Sequence, residues 1–546
     1  MRHRGTGPRR TERPIYVNLR APCNQACPAG EDIQGWLALA QAGQFEKAWR
    51  KLVEANPLPG VHGRVCYHPC ETSCNRNELD SAVSIHGVER FLGDMAVERG
   101  WKIALPLDSG KRVLVIGAGP AGLSAAYHLR RLGHAVEIQE AASQPGGMMR
   151  FGIPAYRLPR AALQQEIDTI IALGIKLTLN CAVKDVAAAR AEGDFDAVFI
   201  AIGTQIGKRI DIPGRDAGHM LTAAELLHEA AAGARVKLGR RVAVYGAGNT
   251  AMDAARTARR LGAEEAVIVY ISDRAHMEAH AFEAQEAQDE GVTIKWLSSI
   301  HQVDAGKLQL EVMVLDADGK LQPTAKFETL QADALVLALG QQADSGFLRT
   351  LDGIVFGPDG SVAVDARLMT GARGVFAGGD LVPGVRTVTS ATGHGRQAAV
   401  HINAWLNAAG RPTVPAPAVA TTVATFDMLN LPIYADAARA TQSELPLARR
   451  AASFDEVTAG LDQAAARREA QRCLSCGNCF ECDNCYAACP EEAIEKLGPG
   501  LGYQVLLSAC TGCTVCVDQC PCHAMEMVAE PAAAPVAKTL GIEVTQ

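Results

Sequence analysis

The sequence predicts an α/β protein in which two parallel-sheet domains are nested, with a small helical domain before them and a small α+β domain after them. Short apolar runs at 197–202 and 334–339 end at glycines, which is typical of buried strands in parallel sheets. All but one of the 17 cysteines lie within 23–74 or 473–522, outside those strands. The 546 residues suffice for about three or four domains, at roughly 150 residues each.

The order of the domains follows from changes of pattern along the chain. After a polar joint at 107–111 the pattern changes from helical to strand, glycine turn and helix. A second start of this kind at Arg241 is followed by a return to the first unit, so the second unit is predicted to be inserted in the first. The predicted segments are a helical domain at 1–108, a first sheet domain at 109–237 and 341–411, a second at 238–340, a linker with a helical segment at 412–472, a cysteine-rich domain at 473–530 and a flexible tail at 531–546.

The charge balance argues against nucleic acids and anionic membranes as partners. There are 53 basic and 60 acidic residues, a net charge of −7, which disfavours binding to nucleic acid or to an anionic membrane.

No apolar run is long enough to insert into a bilayer. No apolar segment follows the arginines at positions 2, 4, 9, 10 and 13, so we expect a solvated tail there rather than a signal peptide. Closely spaced cysteines indicate metal ligands in a reducing compartment, the cytoplasm.

The first sheet domain opens with a strand pattern, a glycine-rich turn and a helix pattern, which is the dinucleotide-binding fingerprint in its required context. Gly117 allows the tight turn, Gly119 lets a pyrophosphate approach the backbone, and Gly122 lets the helix pack closely. Glu140 ends the next strand, where a carboxylate can accept hydrogen bonds from a ribose 2′-hydroxyl. The residues predicted to bind this first nucleotide are Gly117, Gly119, Pro120, Ala121, Gly122 and Glu140.

A second copy of the fingerprint follows the strand pattern that begins at Arg241. Two copies imply two bound nucleotides, as in an enzyme whose nicotinamide and flavin are held face to face. The residues predicted to bind the second nucleotide are Gly246, Gly248, Asn249, Thr250 and Ala251.

The segment that ends at Asp380 resembles the second flavin motif of the glutathione-reductase-type flavoproteins, whose aspartate holds the ribityl chain. The resemblance implies two Rossmann-like domains, with FAD at the first site, near Gly147, Met148 and Asp380, and the nicotinamide at the second. Residues 145–150 lack the redox cysteine pair of the disulfide reductases, so electrons must leave the flavin by another route. We expect the isolated Cys181 to be a buried core residue.

Two cysteine runs near the C-terminus match the bacterial ferredoxin pattern, in which the fourth cysteine of each run binds the other cluster. The pattern predicts a ferredoxin-like α+β domain, and structural zinc is the weaker alternative. Cys522 has no vacant place in either cluster and is interpreted as a packing residue. The predicted ligands are Cys479, Cys482, Cys485 and Cys520 for one [4Fe–4S] cluster, and Cys510, Cys513, Cys516 and Cys489 for the other.

The cysteine motifs at 21–28 and 63–74, together with both nucleotide motifs, resemble the small-subunit flavoprotein family of glutamate synthase, which is related to the electron-entry half of dihydropyrimidine dehydrogenase. The resemblance covers residues 20–410. The tail from Arg472 resembles a subgroup that serves as the NAD(P)H-linked flavin and ferredoxin subunit of larger complexes, including 2-oxoacid and aldehyde oxidoreductases. It implies FAD, three to four [4Fe–4S] clusters and a catalytic partner subunit, thiamine- or tungsten-dependent.

That family holds two [4Fe–4S] clusters in its N-terminal domain and uses an Arg-Cys-x2-Cys element upstream of the first motif, whereas no cysteine precedes Cys23 here. Such an element stands instead at 472–477, so we expect the C-terminal segment to fold back and complete one cluster. Glu89, where the related dehydrogenase places glutamine, is either the fourth ligand of the other cluster or an exposed helical residue. The expected ligands are Cys23, Cys74, Cys473 and Cys476 for one cluster, and Cys27, Cys66, Cys70 and Glu89 for the other.

The choice of nicotinamide depends on the residues after the strand pattern at 266–270. NADPH-using relatives place an arginine pair where Ile271 and Ser272 stand here. Arg274 remains as a cation and Asp273 as a ribose acceptor, and the pattern favours NAD(H) over NADP(H).

The sequence therefore predicts an electron-transfer flavoprotein subunit that moves electrons between NAD(H), FAD and [4Fe–4S] clusters, to or from a partner oxidoreductase. No catalytic side chain is predicted, because hydride transfer is carried by the flavin and the nicotinamide. The alternatives are an NADPH-dependent glutamate synthase small subunit and a structural subunit that passes no electrons.

Overall fold

The computed structural model describes residues 10–213, 219–234, 236–304, 306–408 and 422–531. Residues 412–421 of the expected linker, the arginines at positions 2, 4 and 9, and the predicted tail from residue 532 onward lie outside the described residues. In the described part of the chain, no helix has the length and apolar character that a membrane span needs.

The N-terminal part contains one strand and six helices. Prolines at the start of three of these helices supply the fixed φ that suits the first helical turn. Trp36 and Leu92 are fully buried in an apolar core that continues into the first sheet domain. The elements are β1 (Glu12–Tyr16), α1 (Pro22–Ala26), α2 (Ile33–Gln41), α3 (Phe45–Leu52), α4 (Pro59–Val65), α5 (Pro69–Thr72) and α6 (Ile85–Arg99).

The first sheet domain begins with the predicted strand, turn and helix. Its first elements are β2 (Arg112–Ile116), α7 (Pro120–Arg131), β3 (Ala135–Gln139), α8 (Met148–Phe151), α9 (Arg160–Ile171), β4 (Lys176–Thr178), α10 (Val186–Glu192), β5 (Ala197–Ile200) and β6 (Ile206–Gly207).

The second sheet domain combines a parallel sheet with an antiparallel one. Its elements are β7 (His219–Thr222), α11 (Ala223–Ala231), β8 (Arg241–Tyr245), α12 (Asn249–Arg260), β9 (Glu265–Val269), α13 (Ala281–Asp289), β10 (Thr293–Lys295), β11 (Ser298–Asp304), β12 (Lys307–Leu315), β13 (Leu321–Gln331) and β14 (Ala334–Leu337). The parallel order is β10-β9-β8-β14-β7, and β11, β12 and β13 form the antiparallel sheet.

The chain then returns to the first sheet domain through β15 (Gln341–Gln342), which pairs with β6. It adds β16 (Val375–Ala377) beside β5 and α14 (Val388–Asn407) against α7. The first sheet is entirely parallel, in the order β16-β5-β2-β3-β4. The predicted nesting of two Rossmann-like domains is confirmed.

The C-terminal part contains α15 (Leu447–Arg450), α16 (Gln463–Gln471), α17 (Asn484–Ala488), β17 (Ile494–Gly498), β18 (Gly502–Val505), α18 (Val515–Asp518) and β19 (Met525–Ala529). Within the described residues, six 3-10 turns lie at Asn75–Glu78, Arg274–His276, Gly346–Thr350, Gly379–Leu381, Phe426–Met428 and Leu431–Ile433. The hairpin of β17 and β18 and the helices α17 and α18 frame the two ferredoxin cysteine runs.

Three segments differ from the expected domain boundaries. β7 and α11, expected in the first sheet domain at 109–237, belong to the second, because β7 pairs with β14. The helical segment expected within 412–472 is α16, and it packs against α2 and α6 of the N-terminal domain, so this part of the segment belongs with that domain. β1, expected in the helical domain, pairs with β19 at the far end of the chain.

The expected solvated tail also ends earlier than predicted. Arg10 is largely buried and forms an ion pair with Glu530, so the chain is packed from residue 10 onward. The physical reason is the pairing of the adjacent strand β1, which holds this segment against the cysteine-rich domain.

Candidate cofactor-binding sites

The first glycine loop joins β2 to the N-terminus of α7 and leaves its backbone open to a ligand. Gly117 has φ +104°, and a Cβ there would lie 2.5 Å from the carbonyl oxygen of Ala201. Gly122 packs against the carbonyl of Gly117, and a Cβ on Gly122 would lie 1.9 Å from that carbonyl oxygen. A Cβ on Gly147 would lie 2.9 Å from the Cα of Gly119, so the two backbones form one narrow cradle. Only glycines permit this geometry, which suits a pyrophosphate at the helix N-terminus.

The carboxylate of Glu140 closes the same loop. Its Oε2 accepts a hydrogen bond from the amide of Ala118 at 2.6 Å, and Oε1 accepts one from Ala142 at 2.8 Å. These bonds fix the carboxylate, while each oxygen retains a lone pair that a ribose hydroxyl could use.

A cavity of about 600 Å³ brings the two glycine motifs together. No hydrogen bond joins the carboxylate of Asp380 to another described residue; burial raises its pKa to about 6, and the charge of Arg386 opposes that shift. The carboxylate therefore keeps its hydrogen-bonding capacity at the wall of the cavity, which fits a ribityl hydroxyl. The predicted residues that line the cavity are Gly117, Gly119, Pro120, Ala121, Glu140, Gly147, Met148, Asn249, Thr250 and Asp380.

The second glycine loop has the same local geometry. Gly246 has φ +121°, and a Cβ there would lie 2.4 Å from the carbonyl oxygen of Ala338. Asn249 and Thr250, at the start of α12, line the cavity shared with the first motif. Gly122, Gly246, Gly248 and Ala251 do not line it.

The two residues predicted to select the nicotinamide lie just beyond β9. Asp273 accepts a hydrogen bond from the amide of His276 at 3.1 Å, and its Oδ1 lies 2.6 Å from Nδ1 of the same residue. The hydrogen bond with the His276 ring lowers the pKa of Asp273. Arg274 is exposed, and its guanidinium has no partner among the described side chains. Asp273 is thus engaged locally, whereas Arg274 is available to a ligand.

One group of thiols joins the N-terminal domain to the segment after α16. The pKa of the Cys23 thiol is raised well above its usual range. Burial is the largest cause, and the proximity of Cys473, Cys74 and Cys476 adds to it. Arg472 holds the segment in place, because it donates to the carbonyl of Ala82 and to the carboxylates of Glu469 and Asp80, each at 3.0 Å. The structure therefore brings together Cys23, Cys74, Cys473 and Cys476.

A second group lies nearby in the N-terminal domain. The pKa of the Cys70 thiol is raised first by burial and then by the proximity of Cys66, Glu71, Cys27 and Glu89. This brings together Cys27, Cys66, Cys70 and Glu89.

Glu89 itself is only 6% exposed, so its alternative interpretation as an exposed helical residue is wrong. Asn56 lies between the two glutamates of this region, since its Nδ2 donates to Oε1 of Glu89 at 2.7 Å and to Oε1 of Glu31 at 3.0 Å.

The two ferredoxin runs form two further groups. The pKa of Cys479 is raised to about 11 by burial and by Cys485, Cys482 and Cys520. The pKa of Cys516 is raised to about 12 by burial and by Cys510, Cys489 and Cys513. Crowded thiols of this kind fit a bound metal cluster, which would take them as thiolates and relieve their repulsion.

The predicted packing residue Cys522 is 2% exposed and donates from Sγ to the carbonyl of Asn478 at 3.1 Å. The expectation for Cys181 is wrong: it is half-buried, and it lines the large cavity. The chain passes the cavity wall at this point, immediately after β4, instead of entering the core.

Sequence reasoning missed the side chains that join the domains around the cavity. Tyr67 lines the cavity and stacks on His280 of the second sheet domain, with ring centroids 3.9 Å apart. Arg157 also lines the cavity and forms ion pairs with Asp253 and Glu283. These contacts join residues about 100 or more positions apart, so no local sequence pattern predicts them. The one signal in the sequence was that Tyr67 directly follows Cys66, a predicted cluster ligand.

Comparison with known proteins gives two family matches. The model of the pyridine nucleotide-disulphide oxidoreductase family matches residues 111–395, and that of dihydropyrimidine dehydrogenase domain II, 4Fe-4S cluster, matches residues 11–101.

Several curated proteins are similar over most of the chain. The NADP(+)-dependent formate dehydrogenase subunit beta of Moorella thermoacetica is 39% identical over 502 residues, which cover 84% of this chain and 71% of that protein. The NADPH-Fe(3+) oxidoreductase subunit beta of Geobacter sulfurreducens is 32% identical over 511 residues, 84% of this chain and 75% of that protein. The glutamate synthase [NADPH] small chain of Escherichia coli is 32% identical over 419 residues, 70% and 88% respectively. Among solved structures, FprA from Mycobacterium tuberculosis aligns over 56% of this chain and 87% of its own, with 17% identity and a TM-score of 0.47.

Proposed function

The chain belongs to the pyridine nucleotide-disulphide oxidoreductase family and carries a dihydropyrimidine dehydrogenase-type iron–sulfur domain, and from this premise we propose that it is the electron-transfer subunit of a larger oxidoreductase complex. When bound, FAD would exchange a hydride with the nicotinamide and pass single electrons to [4Fe–4S] clusters. The chain's own residues hold these groups in order and set their environment.

One observation carries the proposal. The first glycine motif and the start of α12, at Asn249 and Thr250, line a single cavity. The same cavity is lined by Val65 and Tyr67, which flank the predicted cluster ligand Cys66. A flavin in this cavity would therefore face the nicotinamide site on one side and an iron–sulfur cluster on the other. We propose that electrons pass between the flavin and the clusters at this wall.

For the flavin, we propose that the backbone of Gly117, Gly119 and Gly147 receives the pyrophosphate. The carboxylate of Glu140 would bind the adenosine ribose, and that of Asp380 would accept hydrogen bonds from the ribityl chain. Met148 and the helix α7 complete the binding site.

For the clusters, we propose four [4Fe–4S] groups with the ligand sets predicted from the sequence. Glu89 would supply the one carboxylate ligand, and its burial supports this role because a buried carboxylate needs a positive partner. Cys476 and Cys479 are separated by two residues, so the set that contains Cys476 and the set that contains Cys479 are adjacent in the chain and link the N-terminal domain to the C-terminal domain.

For the nicotinamide, we propose NADP(H). The preference for NAD(H) expected from Ile271 and Ser272 finds no support in the relatives, whose names specify NADP(+) or NADPH. Arg274 is exposed and can pair with a 2′-phosphate, which supports this choice.

The relatives are named as subunits or chains of a formate dehydrogenase, an NADPH-Fe(3+) oxidoreductase and a glutamate synthase, so we propose a catalytic partner subunit without assigning its substrate. A 2-oxoacid or aldehyde oxidoreductase as partner, and the cytoplasm as location, stay predictions.

An anaerobic titration tests the proposal. Purified protein replete in FAD and iron is titrated with NADPH and, separately, with NADH, and the flavin and iron–sulfur absorbance are followed together. We expect rapid bleaching of both chromophores by NADPH. Bleaching by NADH alone would overturn the nucleotide choice, and no bleaching by either would overturn the electron-transfer function.

A further inference from the structure

The N-terminal strand touches a predicted ligand of the C-terminal cluster domain. We propose that β1 is an integral strand of that domain and that the hydroxyl of Tyr16 raises the reduction potential of the cluster bound by Cys485. Tyr16 is thus a positioning residue for the thiolate, supplied from the opposite end of the chain.

Regular pairing fixes the position of the strand. β1 runs antiparallel to β19, with Glu12 opposite Ala529 and Tyr16 opposite Met525. The pairing continues at one end through the amide of Val17, which donates to Ala524 at 3.0 Å. The ladder leaves Tyr16 little freedom to move along β19, because a slip of one residue would turn its side chain to the other face.

The hydroxyl of Tyr16 lies 3.3 Å from Sγ of Cys485. Its ring stacks on that of Tyr503, with centroids 6.3 Å apart, so the ring is held from its face. A ligating cysteine is a thiolate and has no proton to give, so the tyrosine must be the donor. A donor to a cluster sulfur stabilises the extra negative charge of the reduced cluster and therefore raises its potential.

Arg10 anchors the strand over the second cluster loop as well. Its Nη1 donates to the carbonyls of Leu507 and Cys510, each at 2.7 Å, and its guanidinium pairs with Glu530. The backbone of Glu12 also lies against Gly512, where a Cβ would come within 2.6 Å of its carbonyl oxygen. One short segment therefore contacts the loops of both predicted clusters.

Tyr503 offers a matched control within the same stack. Its hydroxyl donates to Oδ1 of Asp483 at 2.6 Å, and among the described residues it forms no hydrogen bond with a cysteine. Tyr503→Phe thus removes a hydroxyl from the neighbouring ring without removing a donor to sulfur, whereas Tyr16→Phe removes that donor.

The inference rests on the proposed ligation by Cys485, which the iron content of the wild-type chain tests separately. Midpoint potentials are measured on the full holoprotein by a redox titration followed by electron paramagnetic resonance. We expect Tyr16→Phe to make the potential of one cluster more negative, with iron content unchanged, and Tyr503→Phe to leave all potentials in place. Unchanged potentials in Tyr16→Phe, or equal shifts in both variants, would overturn the inference.

A second variant guards against a loss of folding. Replacement of Tyr16 by 3-fluorotyrosine keeps the ring and makes the hydroxyl a stronger donor, so the potential of the same cluster should become more positive. A shift in the negative direction, or none, would contradict the proposed hydrogen bond. A damaged domain would not give shifts of opposite sign in the two variants.

Discussion

The guanidinium of Arg157 lies 2.7 Å from the carboxylate of Asp253, so a largely buried ion pair joins the two nucleotide-binding domains at the cavity where their glycine motifs meet. Glu283 pairs with the same guanidinium from α13. One arginine therefore balances two carboxylates of the neighbouring domain, and the relative position of the two domains depends on it.

Replacement of Arg157 by Met should destabilise the protein by about 3 kcal/mol, because two buried carboxylates lose their cation. The thermal transition of the holoprotein measures the loss. Arg449→Met is the control, since Arg449 pairs with Asp455 on the surface and such pairs contribute little. Equal effects of the two substitutions would show that the pair does not join the domains.

The buried carboxyl of Glu166 should make stability fall as pH rises. It accepts hydrogen bonds from the amides of Gly60 and Val61, at 2.7 and 2.8 Å, yet burial raises its pKa from 4.5 to about 7. A carboxyl with a raised folded pKa favours folding fully below the unfolded value, and the contribution is lost as pH rises to 7.

At about 1.4 kcal/mol per pKa unit, the loss amounts to about 3 kcal/mol. Glu166→Gln cannot ionise, so its melting temperature should rise relative to wild type between pH 4.5 and 7. Glu98→Gln, at an exposed position, should show no such trend. A difference between Glu166→Gln and wild type that stays constant with pH would refute the assignment.

The double substitution Cys473→Ser and Cys476→Ser tests the proposed cluster that residues from both ends of the chain would share. We expect the loss of about four iron atoms per chain, because the remaining Cys23 and Cys74 cannot hold a [4Fe–4S] cluster alone. Cys522→Ser is the control, since Cys522 is a buried thiol without a place in a ligand set. Iron content and cluster absorbance measure the result, and unchanged iron in the double variant would exclude the shared cluster.

Much of the fold could be predicted because its signals are local. Each glycine fingerprint combines a strand, a turn and a helix start within about 20 residues, and the order of two such units reveals the nesting. The pairing of Glu12 with Ala529 has no comparable signal, because a five-residue strand specifies its own conformation but not a partner more than 500 residues away. β7 was expected in the first sheet domain for the same reason, because its sequence does not indicate that its partner strand is β14.

The cysteine groups were predictable for a different reason. The spacing within a ferredoxin run indicates which thiols can reach one cluster. The family's Arg-Cys-x2-Cys element is missing before Cys23, and its presence at 472–477 made Cys473 and Cys476 predictable as ligands. Glu89 remained ambiguous in the sequence, because a helical glutamate carries no mark of its burial; its contact with Asn56 comes from tertiary packing. Asp273 stays a predicted ribose acceptor; nothing in the sequence indicated that its carboxylate also bonds to the nearby His276.

Substitutions of Glu89 should separate ligation from packing. Glu89→Ala removes the oxygen ligand, and we expect the iron next to it to be lost, which yields the paramagnetic signal of a three-iron cluster. Glu89→Gln keeps an oxygen at the same place and should retain four irons. Glu31→Gln is the control, because Glu31 shares Asn56 with Glu89 but is not in the ligand set. A full cluster in Glu89→Ala would exclude this ligand.

Arg274 should determine the preference between the two nicotinamide nucleotides. Its guanidinium is exposed beside the end of β9, and a 2′-phosphate there would form a charge-assisted hydrogen bond with it. Arg274→Ala should raise the KM for NADPH about tenfold, equivalent to about 1.4 kcal/mol, and leave the KM for NADH unchanged, because NADH has no phosphate at this position.

The comparison of the two nucleotides within one variant is the decisive part of this experiment, since a general disturbance of the domain would raise both KM values. Arg240→Ala gives a second control, because Arg240 is an exposed arginine of the same domain that already pairs with Glu264. If Arg274→Ala weakened NADH and NADPH equally, the 2′-phosphate would have to be recognised elsewhere. If it improved NADPH binding, the proposed NADP(H) preference at this site would be wrong, because removal of a cation can only weaken the attraction of a dianionic phosphate.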